Sequence, residues 1–309
     1  MKILVTGGAG FIGSHLVDAL VQKGHKVSVI DNLSTGLKEN LNPKAHFYQI
    51  DIRDSKLLAV FKKEKPEVVF HLAGQINLRK SIEDPVFDGD VNILGSLNVL
   101  QNFIRVNSCS NSRKFAKFIF SSTGGAIYGQ PDKIPADENT PAIPLSPYGL
   151  SKLLGEECIK FYAKHYGFDY LIFRYPNVYG PRQNPKGEAG VVAIFSGLMR
   201  KGKQPTIFGD GSKTRDYVHI DDIVRANIIG LHKGKNEIFN LGWAKKISDQ
   251  KIFDTIAKNL NFKKPPIYAP FRHGEVYQIA LSAKKARKNL GWQPQISLEK
   301  GIRKTVKEI

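Results

Sequence analysis

The sequence TGGAGFIG at residues 6–13 is the strongest indication of the fold, and it follows the apolar run ILV at residues 3–5. Its glycines satisfy two overlapping patterns, G-x-G-x-x-G from Gly8 and G-x-x-G-x-x-G from Gly7. Glycines between a strand and a helix let the backbone N–H groups approach an anion, because no side chain stands in the way. The sequence therefore predicts a strand, a phosphate-binding turn and a helix that stops at Gly24.

A carboxylate follows the second predicted strand, where a dinucleotide site needs one. Asp31 ends this strand and follows Gly13 by 18 residues. The dinucleotide fingerprint places its acidic residue about 20 residues further on. A carboxylate at this point accepts hydrogen bonds from both ribose hydroxyls and repels a 2′-phosphate, so the pattern favours NAD over NADP.

Two later strand ends extend the same prediction. Asp51 and Ile52 follow a strand and are candidates to reach the adenine. HLAG at residues 71–74 closes another strand with small residues, as backbone that passes close to a cofactor requires. Ordinary loops are the alternative for each segment, but their order behind the fingerprint favours the cofactor.

Short apolar runs alternate with helical patterns through the first half of the chain. The runs lie at residues 3–5, 27–30, 68–70, 118–120 and 170–173. They lack alternating polar residues, as is typical of parallel strands buried on both faces. The pattern predicts the α/β class, with a Rossmann-type doubly wound parallel sheet.

The character of the chain changes after about Asn177, where Gly, Pro and charged residues become dense. We therefore predict an NAD-binding domain over residues 1–175 and a smaller C-terminal α/β substrate-binding domain over residues 176–309. The segment at about 218–242 is predicted to return to the first domain.

The composition indicates a globular protein that does not bind nucleic acid. The net charge of +18 comes from basic residues spread in ones and twos, which predicts a solvated surface rather than a nucleic-acid arm. Part of this charge is available to substrates that carry phosphate. Cys109 and Cys158 fit no metal or redox spacing, so we expect no metal.

The composition also indicates the cellular compartment of the protein. Sparing use of cysteine indicates a reducing environment. The N-terminus does not have the pattern of a signal peptide, and no run approaches about 20 apolar residues. We expect a cytoplasmic protein with no membrane partner.

SPYGLSK at residues 146–152 has the pattern of a helix start, with Ser146 as the N-cap and proline in the first position. Tyr148 and Lys152 then lie on one face. An ammonium beside a phenol, helped by the positive nicotinamide ring, would lower the phenol pKa from its usual value near ~10, which suits general acid–base work. Thr123, which ends the fourth strand, is a candidate to bind the reacting oxygen, and Ser122 is the competing candidate.

The chain resembles the extended short-chain dehydrogenases/reductases, and within that group the UDP-glucose 4-epimerases, over essentially its whole length. The segments that carry this resemblance are residues 6–13, 31–36, 51–54, 91–95, 120–129, 147–152, 173–182 and 214–219. The resemblance implies NAD as the cofactor and a UDP-sugar as the substrate. It also implies a homodimer formed through the helices at residues 92–106 and 151–162.

The resemblance further implies a role for individual residues. Thr123, Tyr148 and Lys152 would be catalytic, and Arg215 and Arg272 would grip the pyrophosphate of the substrate. The residues that would contact the UDP-sugar are Asn177, Val191 and Phe208. The residues that would contact NAD are Gly7, Gly10, Phe11, Ile12, Asp31, Asn32, Ser34, Thr35, Gly36, Asp51, Ile52, Leu72, Ala73, Gln75, Asn92, Tyr148, Lys152, Tyr175 and Val178.

Two positions depart from related patterns. Gly124 and Gly125 follow Thr123, where the dehydratases of this group carry an Asp-Glu pair, so the sequence argues against dehydration. Ile279 aligns near a tyrosine that closes the sugar pocket in some epimerases. The smaller side chain leaves an N-acetylated sugar open as a substrate.

The resulting hypothesis is reversible inversion at C4 of a UDP-sugar. Tyr148 as a phenolate takes the 4-hydroxyl proton while a hydride leaves C4 for NAD, and a 4-keto sugar turns over before the hydride returns. UDP-glucose and UDP-galactose are the expected pair, with UDP-N-acetylglucosamine open. The alternatives are a UDP-glucuronate epimerase or decarboxylase, a net dehydrogenase, and a protein that binds NAD or nucleic acid without chemistry.

Overall fold

The computed structural model describes residues 1–108, 116–185, 190–272 and 276–308, so Cys109 lies outside the described residues. The strands are β1 (Lys2–Thr6), β2 (Lys26–Asp31), β3 (His46–Gln49), β4 (Val68–His71), β5 (Lys117–Thr123), β6 (Asp169–Tyr175), β7 (Asn177–Tyr179), β8 (Thr206–Phe208), β9 (Thr214–Arg215), β10 (Tyr217–His219), β11 (Glu237–Asn240), β12 (Ile247–Ser248) and β13 (Ile267–Ala269).

The helices alternate with these strands. They are α1 (Phe11–Gln22), α2 (Leu57–Glu64), α3 (Leu78–Glu83), α4 (Pro85–Gly89), α5 (Ser96–Ser108), α6 (Gly124–Ile127), α7 (Pro147–Tyr166), α8 (Val191–Arg200), α9 (Ile220–Gly230), α10 (Asp249–Leu260), α11 (Lys284–Leu290) and α12 (Leu298–Glu308). A short 3₁₀ turn (Lys38–Asn40) follows β2, and a π-helical turn (Asp90–Gly95) joins α4 to α5. Among the described helices, none is both long and apolar enough to cross a bilayer.

Seven strands form one sheet in the order β11-β6-β5-β4-β1-β2-β3. The pairs β1–β2, β1–β4, β2–β3 and β4–β5 are parallel. The chain runs outward from β1 to β3 and then returns to place β4 on the other side of β1. This reversal creates the switch point at which such sheets bind ligands, beyond the carboxyl ends of the strands. The predicted Rossmann-type sheet is confirmed.

The apolar runs of the sequence form the core of this sheet. Ile3, Leu4 and Val5 of β1 are buried, and α1 covers the strand with a face that includes Leu16 and Leu20. Burial of each such side chain stabilises the fold by roughly 1.5–3 kcal/mol. The helix ends at Gln22, two residues before the predicted stop at Gly24, whose φ of 79° is one that glycine adopts without strain.

The chain divides into two compact units. Unit 1 comprises Met1–Thr123, Ser146–Arg174 and Ala226–Phe239, and unit 2 comprises Gly124–Leu145, Tyr175–Arg225 and Asn240–Ile309. Residues 226–239, which pack with unit 1, lie inside the segment predicted to return, whereas residues 124–145 pack with unit 2. The assignment of one domain to NAD and the other to the nucleotide sugar stays a prediction.

Unit 2 is built around short strand pairs. β7 pairs with β10 and β8 pairs with β13 in parallel, while β9 and β12 are antiparallel. Its core includes Val192 and Phe195 of α8, Ile252 and Ile256 of α10, and Ile302 of α12. These strands carry most of the residues predicted to contact the nucleotide sugar.

Candidate active site

The glycine turn after β1 is closed so tightly that side chains are excluded. A Cβ on Gly13 would lie 2.1 Å from the carbonyl oxygen of Gly7, and a Cβ on Gly7 would lie 2.8 Å from the backbone nitrogen of Ala73. Gly7 also has a φ of 72°. Gly10, the N-cap of α1, makes no side-chain cap, so the turn presents the N-terminus of α1 to an anion.

Asp31 is held beside this turn. Its Oδ2 accepts a hydrogen bond from the backbone N–H of Ala9 at 3.0 Å, and its Oδ1 accepts one from the N–H of Leu33 at 2.8 Å. A Cβ on Gly36 would lie 3.0 Å from both carboxylate oxygens. These contacts fix the carboxylate in position. Its oxygens keep further lone pairs that can accept hydrogen bonds from ribose hydroxyls.

Asp51 is a second carboxylate at the same edge of the sheet. It accepts a hydrogen bond from Asn32 Nδ2 at 2.7 Å and pairs with Arg53 at 2.8 Å. The hydrogen bond from the Arg53 guanidinium lowers the pKa of Asp51 well below its usual value. Asp51 therefore remains a carboxylate at any pH near neutrality, available as an acceptor.

The other predicted NAD contacts of unit 1 follow the carboxyl ends of β2, β3 and β4 or the start of α1, which meet at one edge because the strands are parallel. Asn92, in the π-helical turn, accepts from the N–H of Gln75 at 2.9 Å. Tyr175 and Val178, in β6 and β7, are the predicted NAD contacts that belong to unit 2. The residues at this edge are Phe11, Ile12, Asn32, Ser34, Thr35, Ile52, Leu72, Ala73 and Gln75. The tight glycine turn and the fixed carboxylate fit NAD.

The structure brings Thr123, Tyr148 and Lys152 together within unit 1. Ser146 caps α7 by accepting from the N–H of Gly149 at 3.2 Å, which sets Tyr148 in the first turn. Tyr148 and Thr123, at the end of β5, are close enough that the Thr123 side chain lowers the pKa of the phenol. One helical turn later, Lys152 Nζ donates to the carbonyl oxygen of Ser121 at 3.2 Å. Among the described hydrogen bonds, none joins Nζ to the phenol.

Burial changes the acidity of both groups. It raises the pKa of the Tyr148 phenol to about 12, against the effect of the Thr123 side chain, which lowers this pKa. Burial also lowers the pKa of Lys152 to about 8. The sequence predicted a lower phenol pKa with both Lys152 and the nicotinamide ring beside it, whereas in the chain alone desolvation dominates and raises the pKa. The phenol is therefore the neutral acid at neutral pH in the protein without ligands.

Ser122, the competing candidate, is engaged in a different network. Its hydroxyl donates to Glu156 Oε1 at 2.5 Å, and Arg174 binds both oxygens of the same carboxylate at 2.9 and 2.6 Å. Glu156 is fully buried and lies one helical turn beyond Lys152. This network ties α7 to β5 and β6, so Ser122 has a positioning contact while Thr123 faces Tyr148.

The sequence reading missed two buried carboxylates, Asp88 and Glu156. Asp88 in α4 accepts from Gln75 Nε2 at 2.8 Å and from Asn92 Nδ2 at 3.0 Å. One available signal was its position one helical turn before Asn92, a predicted NAD contact. Glu156 similarly follows Lys152 at i+4 on α7.

The predicted substrate residues lie in unit 2. The guanidinium of Arg272 lies 3.1 Å from the ring centroid of Phe208 at the end of β8. Arg215 in β9 donates to the carbonyl oxygen of Tyr277 at 3.3 Å. The N–H of Asn177 donates to the carbonyl oxygen of Asp216 at 3.0 Å, and Val191 begins α8. Phe208 and Arg272 are thus in contact, and the substrate roles of these residues stay predictions.

Asp216, next to Arg215, holds three loops of unit 2 together. Its carboxylate accepts from the N–H groups of Trp243, Ala244 and Leu281 at 3.0–3.1 Å. A Cβ on Gly242 would lie 2.6 Å from the same carboxylate. These contacts fix the backbone at Arg215. In the part of the chain that the structure describes, no cluster of three or more His, Cys, Asp or Glu could hold a metal ion.

Comparison with known proteins identifies the family. Residues 3–242 match the NAD dependent epimerase/dehydratase family. The chain belongs to this family. The family's dependence on NAD confirms the predicted cofactor, and the match agrees with the resemblance of the sequence to extended short-chain dehydrogenases/reductases.

Relatives within the epimerase/dehydratase family are similar over the whole chain. A UDP-glucose 4-epimerase from Mycolicibacterium smegmatis is 42% identical over 312 residues, which are 99% of this chain and 97% of that protein. The crystal structure of UDP-glucose 4-epimerase with UDP-glucose from Thermotoga maritima has a TM-score of 0.96 at 47% identity, and covers 100% of this chain and 98% of that one. A Thermus thermophilus UDP-glucose 4-epimerase in complex with NAD has a TM-score of 0.93 at 39% identity, with 100% and 98% covered.

Proposed function

We propose that this chain is an NAD-dependent epimerase that interconverts UDP-glucose and UDP-galactose by inversion at C4. One observation carries the proposal: Thr123 at the carboxyl end of β5 is close enough to Tyr148 to lower the phenol pKa, and Lys152 follows Tyr148 by one helical turn. This is the arrangement needed to move a proton at a sugar hydroxyl. The named UDP-glucose 4-epimerases among its relatives support the substrate.

The residues that would hold NAD are those at the carboxyl edge of the sheet. The glycine turn and the N-terminus of α1 would bind the pyrophosphate, and Asp31 would accept from the ribose hydroxyls. Asp51 and Ile52 would border the adenine. When bound, NAD supplies a site that accepts a hydride and returns it.

Side chains of the protein carry out the proton transfer. The Tyr148 oxygen takes the proton from the 4-hydroxyl of the sugar and later returns it, while the Thr123 hydroxyl orients the same oxygen. The Lys152 ammonium stabilises the phenolate through charge. Because burial raises the phenol pKa to about 12, ionisation of Tyr148 depends on positive charge placed beside it.

The protein must hold the substrate by its nucleotide while the sugar turns to present its opposite face. Arg215 and Arg272 would bind the two phosphates, since the guanidinium fork matches phosphate oxygens. Asn177, Val191 and Phe208 would contact the rest of the UDP-sugar. Strong anchoring at UDP leaves the sugar free to turn. Gly124 and Gly125 provide no acid or base, so dehydration is not expected.

Product analysis by NMR tests the function. We expect UDP-glucose incubated with the purified protein to reach a mixture with UDP-galactose. Parallel incubations with UDP-N-acetylglucosamine and UDP-glucuronic acid define the sugar specificity. A protein that converts only UDP-glucuronic acid, or that consumes added NAD stoichiometrically, would be another enzyme of the same fold.

The homodimer is part of the proposal, and the exposed face of α5 and α7 supports it. A groove of about 720 Å³ is lined mainly by apolar and aromatic side chains, together with Asn98, Gln101 and Arg105; the apolar and aromatic ones are Leu94, Leu97, Leu100, Ile104, Tyr162 and Tyr166. Several large apolar side chains of these helices are exposed: Leu150, Leu154, Phe161 and Tyr166. An apolar patch of this kind is typical of a subunit interface.

Light scattering checks the dimer. We expect the mass of two chains for the wild type and of one chain for Phe161→Glu, because Phe161 is 57% exposed and a carboxylate there would be buried unpaired on association. Lys62→Glu on the exposed face of α2 is the matched control and should stay dimeric. A wild-type protein that is monomeric at all concentrations contradicts the proposal.

The cytoplasm is the compartment we propose. The two cysteines among 309 residues support a reducing environment. Cys158 is a free thiol.

A further inference from the structure

Asp88 is a buried carboxylate that the proposed chemistry does not use. It lies in α4 and only 1% of it is exposed. Its Oδ1 accepts from Gln75 Nε2 at 2.8 Å and from Asn92 Nδ2 at 3.0 Å. Neutral amides satisfy the oxygen without neutralising the charge. A buried charge is costly unless another charge offsets it.

The nearby opposite charge is the ammonium of Lys152. Asn92 Nδ2, which binds Asp88, also lies 3.3 Å from Ser151 Oγ, the residue before Lys152. A Cβ on Gly74 would lie 2.8 Å from Asn92 Oδ1 and 3.2 Å from Lys152 Nζ. The amide bound to Asp88 and the ammonium therefore flank the same glycine, inside one buried polar cluster.

Of the charged groups on the elements around this cluster, Arg79 and Glu83 of α3 are exposed, and Asp84 accepts a hydrogen bond from the N–H of Phe87. Glu156 on α7 pairs with Arg174, and Arg53 pairs with Asp51 and Asp90. The Lys80 ammonium lies 4.0 Å from the ring centroid of Phe87. Burial lowers the pKa of His71 on β4 to about 3, so its ring is neutral. On α7, the groups that respond to the Asp88 charge are Tyr148 and Lys152.

We propose that Asp88 is the counter-charge of Lys152 and a positioning residue for the Tyr148–Lys152 pair. It keeps the buried ammonium protonated and, through Gln75 and Asn92, holds the loop after β4 against α7. The inference rests on the proposed function, because it assigns Asp88 to the pair that moves the proton.

The sign of the effect follows from the charge. Burial lowers the pKa of Lys152 to about 8, and the Asp88 carboxylate raises it. The same carboxylate raises the pKa of Tyr148. Removing the negative charge therefore lowers both pKa values. The pair works while Tyr148 is ionised and Lys152 is protonated, so both limbs of the pH–rate profile move to lower pH.

Asp88→Asn tests this, because the amide keeps the shape and an acceptor oxygen. We expect both limbs of the kcat profile for epimerisation to move to lower pH by about one unit or more. Glu83→Gln, which removes one exposed carboxylate from the neighbouring helix α3, is the matched control and should leave the profile in place. A folded Asp88→Asn protein with the wild-type profile overturns the inference.

A second measurement does not depend on activity. Carbon NMR of labelled lysine side chains, with Lys152 assigned from Lys152→Arg, follows the ionisation of Nζ directly. We expect protonated Lys152 at neutral pH in the wild type and a lower pKa in Asp88→Asn. If Asp88→Asn does not fold, the wild-type titration decides, since a neutral Lys152 at neutral pH overturns the inference. A wild type with protonated Lys152 but no epimerisation would sink the proposed function alone.

Discussion

Tyr148→Phe is expected to lower kcat for the conversion of UDP-glucose by about 10²–10⁴-fold, the contribution typical of a positioned general acid–base group. The substitution removes the oxygen that takes and returns the proton and leaves the ring in place. Thr123, Lys152 and the cofactor edge of the sheet are unchanged by it. We therefore expect NAD binding and the melting temperature to stay near the wild-type values.

Steady-state kinetics with NMR detection measure this effect. Tyr166→Phe is a matched control, since Tyr166 ends the same helix, is 51% exposed and has no place in the chemistry. It should keep wild-type turnover. Unchanged kcat in Tyr148→Phe would show that another group moves the proton.

The second large effect is on stability, at the buried ion pair of Arg174 and Glu156. Arg174→Met is expected to lower the free energy of unfolding by about 3–5 kcal/mol, because the fully buried Glu156 carboxylate loses its counter-charge. The Ser122 hydroxyl would remain as a neutral donor to it. Urea unfolding followed by circular dichroism measures the change.

Two controls separate the buried pair from helix effects. Lys160→Met breaks the exposed pair with Glu157 on the same helix and should cost less than about 1 kcal/mol. The double variant Glu156→Leu/Arg174→Met removes both charges and should recover much of the lost stability. The reading of this network is wrong if Arg174→Met destabilises no more than Lys160→Met.

The sequence predicted the secondary structure around the glycine turn well, because turn glycines, helix caps and strand ends are local features. The stretch at residues 6–13 defines β1, the turn and the start of α1, and Asp31 lies at the end of β2 as its spacing indicated. Ser146 and Pro147 likewise mark the start of α7. Turn glycines, caps and strand ends depend on neighbours in the chain, so a single sequence carries them.

The parts that were missed depend on residues far apart in the chain. Only tertiary packing shows that Gln75, Asn92, Ser122 and Arg174 surround Asp88 and Glu156. Sequence spacing places Lys152 one helical turn from Tyr148, but it does not reveal the burial that raises the phenol pKa in the chain alone.

In the proposed reaction the active site inverts C4 by taking and returning the same hydrogen, while Tyr148 moves the proton. NMR of the product formed from UDP-glucose with deuterium at C4, in ordinary water and without added NAD, follows that hydrogen. We expect UDP-galactose that retains the deuterium at C4 from the wild type, and none from Tyr148→Phe. Loss of the deuterium to solvent, or absence of UDP-galactose from the NAD-loaded wild type, would contradict the proposed reaction.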